Sequence, residues 1–164
     1  MSQTSPDTKS PRKVLIIDDD EEFAESLTMS LGRGSDFEVA YETCSGRARA
    51  TAREFQPDLI LLDVMLNKIS GSDLYFLFQR DADLKNTPVI VLSALIEEES
   101  AGGKEVAYGI GLLRRLPAFP KPFRLSGLIE AVNREIDKAE EAAQVSRPTP
   151  SGRISGDQTT VAVA

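Results

Sequence analysis

Large apolar residues occur in short blocks separated by polar stretches, and strand and helix periods take turns along the chain. Lys13-Val14-Leu15-Ile16-Ile17 is a β-branched-rich run that stops at Asp18-Asp19-Asp20, and it predicts a first buried strand. Phe23, Ala24, Leu27 and Leu31 recur at helical spacing, with Gly32 and Gly34 as the stop. Phe37, Val39, Tyr41 and Thr43 alternate with Glu38, Ala40 and Glu42, which predicts a half-exposed edge strand. Ser45-Gly46 opens a second helix bearing Ala48, Ala52 and Phe55, closed by Pro57. In Pro57-Asp58-Leu59-Ile60-Leu61-Leu62-Asp63, four consecutive large apolar residues lead to one carboxylate. That is the pattern of a strand buried on both faces, as in a parallel sheet.

The alternation continues. A loop from Val64 to Gly71 leads to a helix with Leu74, Leu77 and Phe78 on one side, and Asn86-Thr87-Pro88 resets the chain. Val89-Ile90-Val91-Leu92 is the fourth strand, ending at Ser93-Ala94. Between Leu95 and Arg115 lie Gly102, Gly103, Gly109 and Gly111, and each Gly disfavours a helix interior by roughly 1 kcal/mol relative to Ala. A fourth helix there is short or soft. Leu116 to Phe119 make a brief fifth strand before Pro120-Lys121-Pro122, and Leu125, Leu128, Ile129, Val132 and Ile136 mark a last amphipathic helix.

These elements predict an α/β fold, a flavodoxin-like three-layer sandwich around a five-stranded parallel sheet in the order 2-1-3-4-5. One domain over residues 12–143 is expected, between a disordered leader, 1–11, and a disordered tail, 144–164, both poor in anything to bury. In that order Asp18, Asp19, Asp63, Ser93 and Lys121 all follow strands at one edge of the sheet. Open α/β sheets bind ligands at that edge, where the strand order reverses.

Composition narrows the chemistry. A chain of 164 residues with 41% hydrophobic content suits one packed core, not two. Its formal charge of -7 argues against a surface for nucleic acid or anionic membrane. Cys44 is the only cysteine, so no internal disulfide forms, and no apolar run is long enough to insert in a membrane. A cytoplasmic setting is expected. With no histidine in the chain, a His-based triad, His-ligated zinc and an internal phosphohistidine are all excluded. Gly102-Gly103-Lys104 is not a P-loop, since the first glycine and the hydroxyl after the lysine are missing.

Carboxylates gathered at one edge raise one another's pKa unless a cation joins them. Oxygen ligands with room for water suit magnesium, which uses one or two protein carboxylates together with a phosphate. In such a site Asp63 can attack phosphorus in line. An ammonium and a hydroxyl then bind the equatorial oxygens where charge resides, and Lys121 and Ser93 are the groups at hand. Each residue also has a plainer role open to it: Asp18 to Asp20 as a helix cap, Ser93 as a turn hydroxyl, Lys121 as a solvated lysine.

Taken together, Val14 to Asp20, Pro57 to Asp63 with Gly71 eight residues on, Pro88 to Ala94, and Lys121-Pro122-Phe123 resemble the receiver domain of two-component response regulators. The resemblance runs from about Arg12 to Ala139. It implies magnesium held by Asp18, Asp19, Asp63 and the backbone carbonyl of Met65, with Asp63 as phosphoacceptor, Ser93 as switch hydroxyl and Lys121 as phosphate-binding ammonium. It also implies a cis peptide before Pro122, and a sensor histidine kinase or phosphotransfer protein as donor.

The chain departs from the family's pattern in places. Asn67 replaces a usual proline, the Ser93–Lys121 interval is long and Gly-rich, and Ala118 stands where a switching Tyr or Phe is usual. Met65 and Leu95, both apolar, flank the expected site and are expected to hinder the water that hydrolyses an acyl phosphate.

Two rivals belong to other classes. A haloacid-dehalogenase-like phosphatase resembles Asp18-Asp19-Asp20, Ser93 and Lys121, but it wants Thr or Val at Glu22 and leaves Asp63 idle. A receiver-like docking module would work without phosphorylation. The reading favoured is a single-domain regulator. It is not an enzyme toward external substrates, and it signals to a protein partner through the fourth helix, the fifth strand and the last helix.

Overall fold

The computed structural model describes residues 10–33, 36–94 and 113–146. Five strands form one parallel sheet: β1 (Arg12–Ile17), β2 (Phe37–Glu42), β3 (Leu59–Asp63), β4 (Val89–Ser93) and β5 (Ala118–Pro120). Their spatial order is β2-β1-β3-β4-β5, as the sequence predicts. The helices are α1 (Glu21–Gly32), α2 (Ala48–Phe55), α3 (Gly71–Gln79) and α4 (Leu125–Val145), and Leu113–Arg115 form a 3-10 turn ahead of β5. Residues 1–9 of the expected leader, 147–164 of the expected tail and the Gly-rich stretch 95–112 lie outside the described residues; α4 continues to Val145, two residues into the stretch expected to be tail.

The central strands are apolar throughout because both faces are covered. Val14, Ile16, Leu59, Leu61, Ile90 and Leu92 pack beneath Ala24, Leu27 and Leu31 of α1 and Leu128, Ala131, Val132 and Ile136 of α4. The alternate residues Leu15, Ile17, Ile60, Leu62 and Val89 meet Ala48 and Ala52 of α2 and Leu74 and Phe78 of α3. Each Leu or Ile fully buried in this way contributes about 1.5–3 kcal/mol, so the two layers fix the register, and the register aligns the strand ends. Asp58 ties the lower edge: its N–H donates to the Lys13 carbonyl at 2.8 Å, and its carboxylate accepts from the Lys13 N–H at 2.7 Å.

Three details differ from the sequence pattern. β5 starts at Ala118, because Leu116 still belongs to the preceding turn, its N–H donating to the Leu113 carbonyl at 2.9 Å. In β2 the alternation fails at the end: Tyr41 is exposed and Glu42 is buried. The Glu42 carboxylate folds over the start of the α2 turn, accepting from the Cys44 N–H at 2.8 Å, Arg47 Nη2 at 3.0 Å and Thr51 Oγ1 at 2.7 Å. These donors outweigh its burial and hold its carboxyl below the usual range. Finally, Ser45 does not cap α2, which begins at Ala48; its hydroxyl accepts from the Ile69 N–H at 3.2 Å and joins two loops beside the upper sheet edge.

α2 closes on Gln56, which adopts φ 52° and ψ 63°, the left-handed region where glycine is favoured. Gln56→Gly is therefore expected to stabilise the fold by about 0.5–1 kcal/mol, the steric gain outweighing the extra entropy of an unfolded glycine. Equilibrium urea unfolding checks this as a higher midpoint at unchanged slope.

Candidate functional site

The carboxyl ends of β1, β3, β4 and the residue after β5 meet as the sequence predicts. Asp18 follows β1, and its N–H donates to the Glu42 carbonyl at 3.2 Å. Asp63 is the last residue of β3. Carboxylate oxygens of Asp18, Asp19 and Asp63 all lie within 4.8 Å of one another. Asp18 and Asp63 are buried and Asp19 half-buried.

Lys121, the residue after β5, reaches this cluster at the same sheet edge. Its ammonium Nζ lies 2.5 Å from Asp18 Oδ2 and 2.8 Å from Asp63 Oδ2. The main chain aims it there. The Lys121 N–H donates to the Ser93 carbonyl at 2.9 Å, extending the β4–β5 ladder by one residue, and the Lys121–Pro122 peptide is cis. Ser93 itself ends β4 fully buried, opposite Pro120 in the strand pairing.

The second carboxylate oxygens of Asp18 and Asp63 are held by backbone. Asp18 Oδ1 accepts from the Asp20 N–H at 3.0 Å, and Asp63 Oδ1 accepts from the Met65 N–H at 2.9 Å. Asp20 plays the plainer part, capping α1 through the Phe23 N–H at 3.0 Å. Gly71 explains its own identity: a Cβ there would lie 2.5 Å from the Asp63 carbonyl oxygen and 2.8 Å from Val64 Cα. The helix α3 can start close behind the Asp63 loop only without a side chain.

Electrostatics match this crowding. Burial raises the Asp18 carboxyl above the usual carboxylate range and the Asp63 charge adds to the rise, while the Lys121 ammonium and the Asp20 N–H oppose it. Burial by itself would lower the Lys121 ammonium, but the hydrogen bonds to Asp18 and Asp63 win and its pKa is raised. The donor set is oxygen only, three carboxylates around one point, which fits a hard divalent cation. Met65 presents an exposed side chain, while Leu95, expected on the other flank, is outside the described residues. Ala118 lies in β5 with its small side chain exposed.

One residue at the site went unnoticed among sequence candidates. Phe23, placed there only in the apolar stripe of α1, sets its ring 4.0 Å from Lys121 Nζ. Its signal was its position in the first turn after the acid triplet, which the helical period absorbed.

The model of the response regulator receiver domain family matches residues 14–133. The chain belongs to this family. Among curated relatives, the receiver is 36% identical over 83 residues to the DNA-binding response regulator MtrA of Mycolicibacterium smegmatis, covering 51% of this chain and 35% of MtrA. It is 30% identical over 148 residues to the DNA-binding dual master transcriptional regulator RpaA of Synechocystis, covering 87% of this chain and 57% of that protein. It is 36% identical over 88 residues to the polar-differentiation response regulator DivK of Brucella anthropi, covering 51% of this chain and 68% of DivK. The match thus spans about a third of MtrA, the first of these relatives.

Among solved structures, the receiver domain of the Francisella response regulator 1452 superposes with a TM-score of 0.62 at 26% identity, over 77% of this chain and 98% of that one. A CheY-like receiver domain protein from Methanospirillum hungatei gives 0.65 at 21% identity, over 81% and 99%; that likeness bears on the fold alone. Among the described residues, no helix is long and apolar enough to cross a membrane.

Proposed function

We propose that this receiver accepts a phosphoryl group on Asp63 from a sensor histidine kinase or phosphotransfer protein. The observation that carries the reading is the Lys121 ammonium bridging Asp18 and Asp63 at 2.5 and 2.8 Å beside Asp19. A carboxylate oxygen of Asp63 forms the new P–O bond as the donor's P–N bond breaks, the electron pair leaving on the donor's imidazole nitrogen. Lys121 shifts from carboxylate to an equatorial phosphoryl oxygen and stabilises the charge that develops there. The Ser93 hydroxyl, carried at the same edge by β4, takes a second oxygen once the β4 end adjusts. Asp18, Asp19 and Asp63, with the Met65 carbonyl, would hold magnesium, which would supply positive charge to offset the carboxylates and the incoming phosphate.

Two further parts belong to the same reading. The receiver catalyses only its own phosphorylation and dephosphorylation, and it acts in the cytoplasm through a protein partner. The contact surface is β5, the last helix α4 and the expected fourth helix, which lies largely outside the described residues, with Ala118 leaving the β5 face without its usual aromatic. DNA binding, in the names of MtrA and RpaA, is a property of those longer proteins, and the acidic charge of this chain favours protein contacts here. The phosphatase rival leaves Asp63 without a role, whereas here Lys121 and the Met65 N–H both hold it.

Incubation with acetyl phosphate and magnesium, followed by intact-mass measurement, tests the acceptor. The wild type is expected to gain one phosphoryl group and Asp63→Asn none. A wild type that stays unmodified would sink the proposal in favour of the docking module.

A further inference from the structure

Lys121 carries the transition-state charge on a flexible four-carbon stem, so something must hold its ammonium in place. Two carboxylates do this in part, but Asp63 must release the ammonium when phosphate arrives. An attraction that survives that release, and that does not compete as a hydrogen-bond acceptor, would keep the ammonium aimed throughout. An aromatic face has both properties, because the ring quadrupole attracts a cation without taking one of its N–H groups away from an oxygen.

Phe23 supplies that face. Its ring centroid is 4.0 Å from Lys121 Nζ, well inside the ~6 Å range of a cation–π contact. The ring's tilt is set from behind by other aromatics: Phe123 meets Phe23 edge-on at 6.2 Å and 88°, and Phe119 meets Phe123 at 6.3 Å and 80°. Phe119 is in β5 and Phe123 follows Lys121 by two residues, so the ladder that positions the lysine backbone also positions the ring that holds its tip. The Phe23 backbone is fixed in turn by the Asp20 cap. The geometry points to Phe23 as the positioning residue of Lys121, fixing the ammonium between Asp18 and Asp63 through its ring face. The kinetic consequence rests on the acceptor reading of Asp63; the positional claim does not.

The test separates the two. In the unphosphorylated protein, nitrogen-15 relaxation of the Lys121 ammonium reports its order directly. Phe23→Leu, which keeps the apolar bulk but removes the quadrupole, is expected to lower that order clearly. Phe23→Tyr is expected to preserve it, the neighbouring groove of about 170 Å³ beside Ser26, Ser30 and Phe123 having room for a hydroxyl. An unchanged Lys121 order in Phe23→Leu overturns the inference. The rate of phosphorylation by acetyl phosphate is expected to fall about 3- to 10-fold in Phe23→Leu, the size of an ordinary cation–π contact, and to return in Phe23→Tyr. A rate that follows the unfolding midpoint of both variants, whatever the Lys121 order, also overturns it, because packing then explains the effect. If the wild type takes no phosphate at all, the acceptor reading fails and the ammonium order alone decides this one.

Discussion

Exchanging Lys121 for methionine is expected to slow phosphorylation of Asp63 by about 10²–10³-fold, the loss typical of one preorganised donor aimed at developing charge. The same change reshapes stability. Asp18 is buried with Asp19 and Asp63 close by, and Lys121 is the cation that joins Asp18 to Asp63. Removing one partner of a buried pair destabilises by about 3–5 kcal/mol when the other must stay charged. Here it need not stay charged, because the site already pushes Asp18 toward protonation.

The sign of the pH dependence follows. Asp18 has a raised carboxyl pKa in the folded state, first through burial and then through Asp63. Between its unfolded value and this raised one the native state binds more protons, so stability falls as pH rises through that window. Without Lys121 two of the influences that lower the Asp18 pKa disappear, and the window extends upward. The deficit of Lys121→Met is thus largest at neutral pH and shrinks as pH falls, in chelator to exclude divalent ions. The raised Lys121 pKa acts at the other end: in the wild type its contribution is complete below the ordinary lysine value and lost as pH rises through the folded one. Urea unfolding of both proteins across pH checks the pattern. A deficit independent of pH would mean that methionine perturbs packing, not charge.

Much of this site was legible in the sequence because parallel-sheet strands buried on both faces announce themselves as unbroken apolar runs. Each run here stops at a polar residue: Ile17 before Asp18, Leu62 before Asp63, Leu92 before Ser93. The strand order then converts sequence distance into proximity. What stayed hidden depends on side-chain direction. Glu42 read as the outward member of an alternating strand, yet hydrogen-bond donors supplied by the following turn and by Thr51 of α2 draw it inward. Phe23 read as core because a helical period counts apolarity and cannot register a ring facing an ammonium 4.0 Å away. Gln56 adopts a backbone conformation that glycine would signal, and no pattern marks a glutamine there. The start of β5 was misplaced because Leu116 and Pro117 have strand-like apolarity while the chain is still turning.

Gly71→Ala is expected to be among the most damaging small substitutions in the chain, although helix propensity alone favours it. Alanine is preferred over glycine in a helix interior by about 1 kcal/mol, and Gly71 is the first residue of α3. Sterics oppose that gain. The new methyl would lie 2.5 Å from the Asp63 carbonyl oxygen, 2.8 Å from Val64 Cα and 3.3 Å from the Asp63 carbonyl carbon. All three are main-chain atoms, so no side chain can rotate away. Either α3 or the Asp63–Val64 backbone must shift, and the Gly71 N–H to Val64 carbonyl bond of 3.1 Å resists a shift of one without the other. Overpacking of this kind destabilises by about 1–3 kcal/mol. Any movement of Asp63 also disturbs its contacts with Lys121 and the Met65 N–H. Phosphorylation is therefore expected to fall at least about tenfold, since a misplaced reacting group loses the benefit of orientation. Gly127→Ala is the control: it sits in the first turn of α4, and its Cβ would meet only Phe119 Cε1, at 3.9 Å. That variant is expected to gain up to about 1 kcal/mol with phosphorylation unchanged. If both glycine variants shift the unfolding midpoint in the same direction, backbone crowding behind Asp63 is not what requires Gly71.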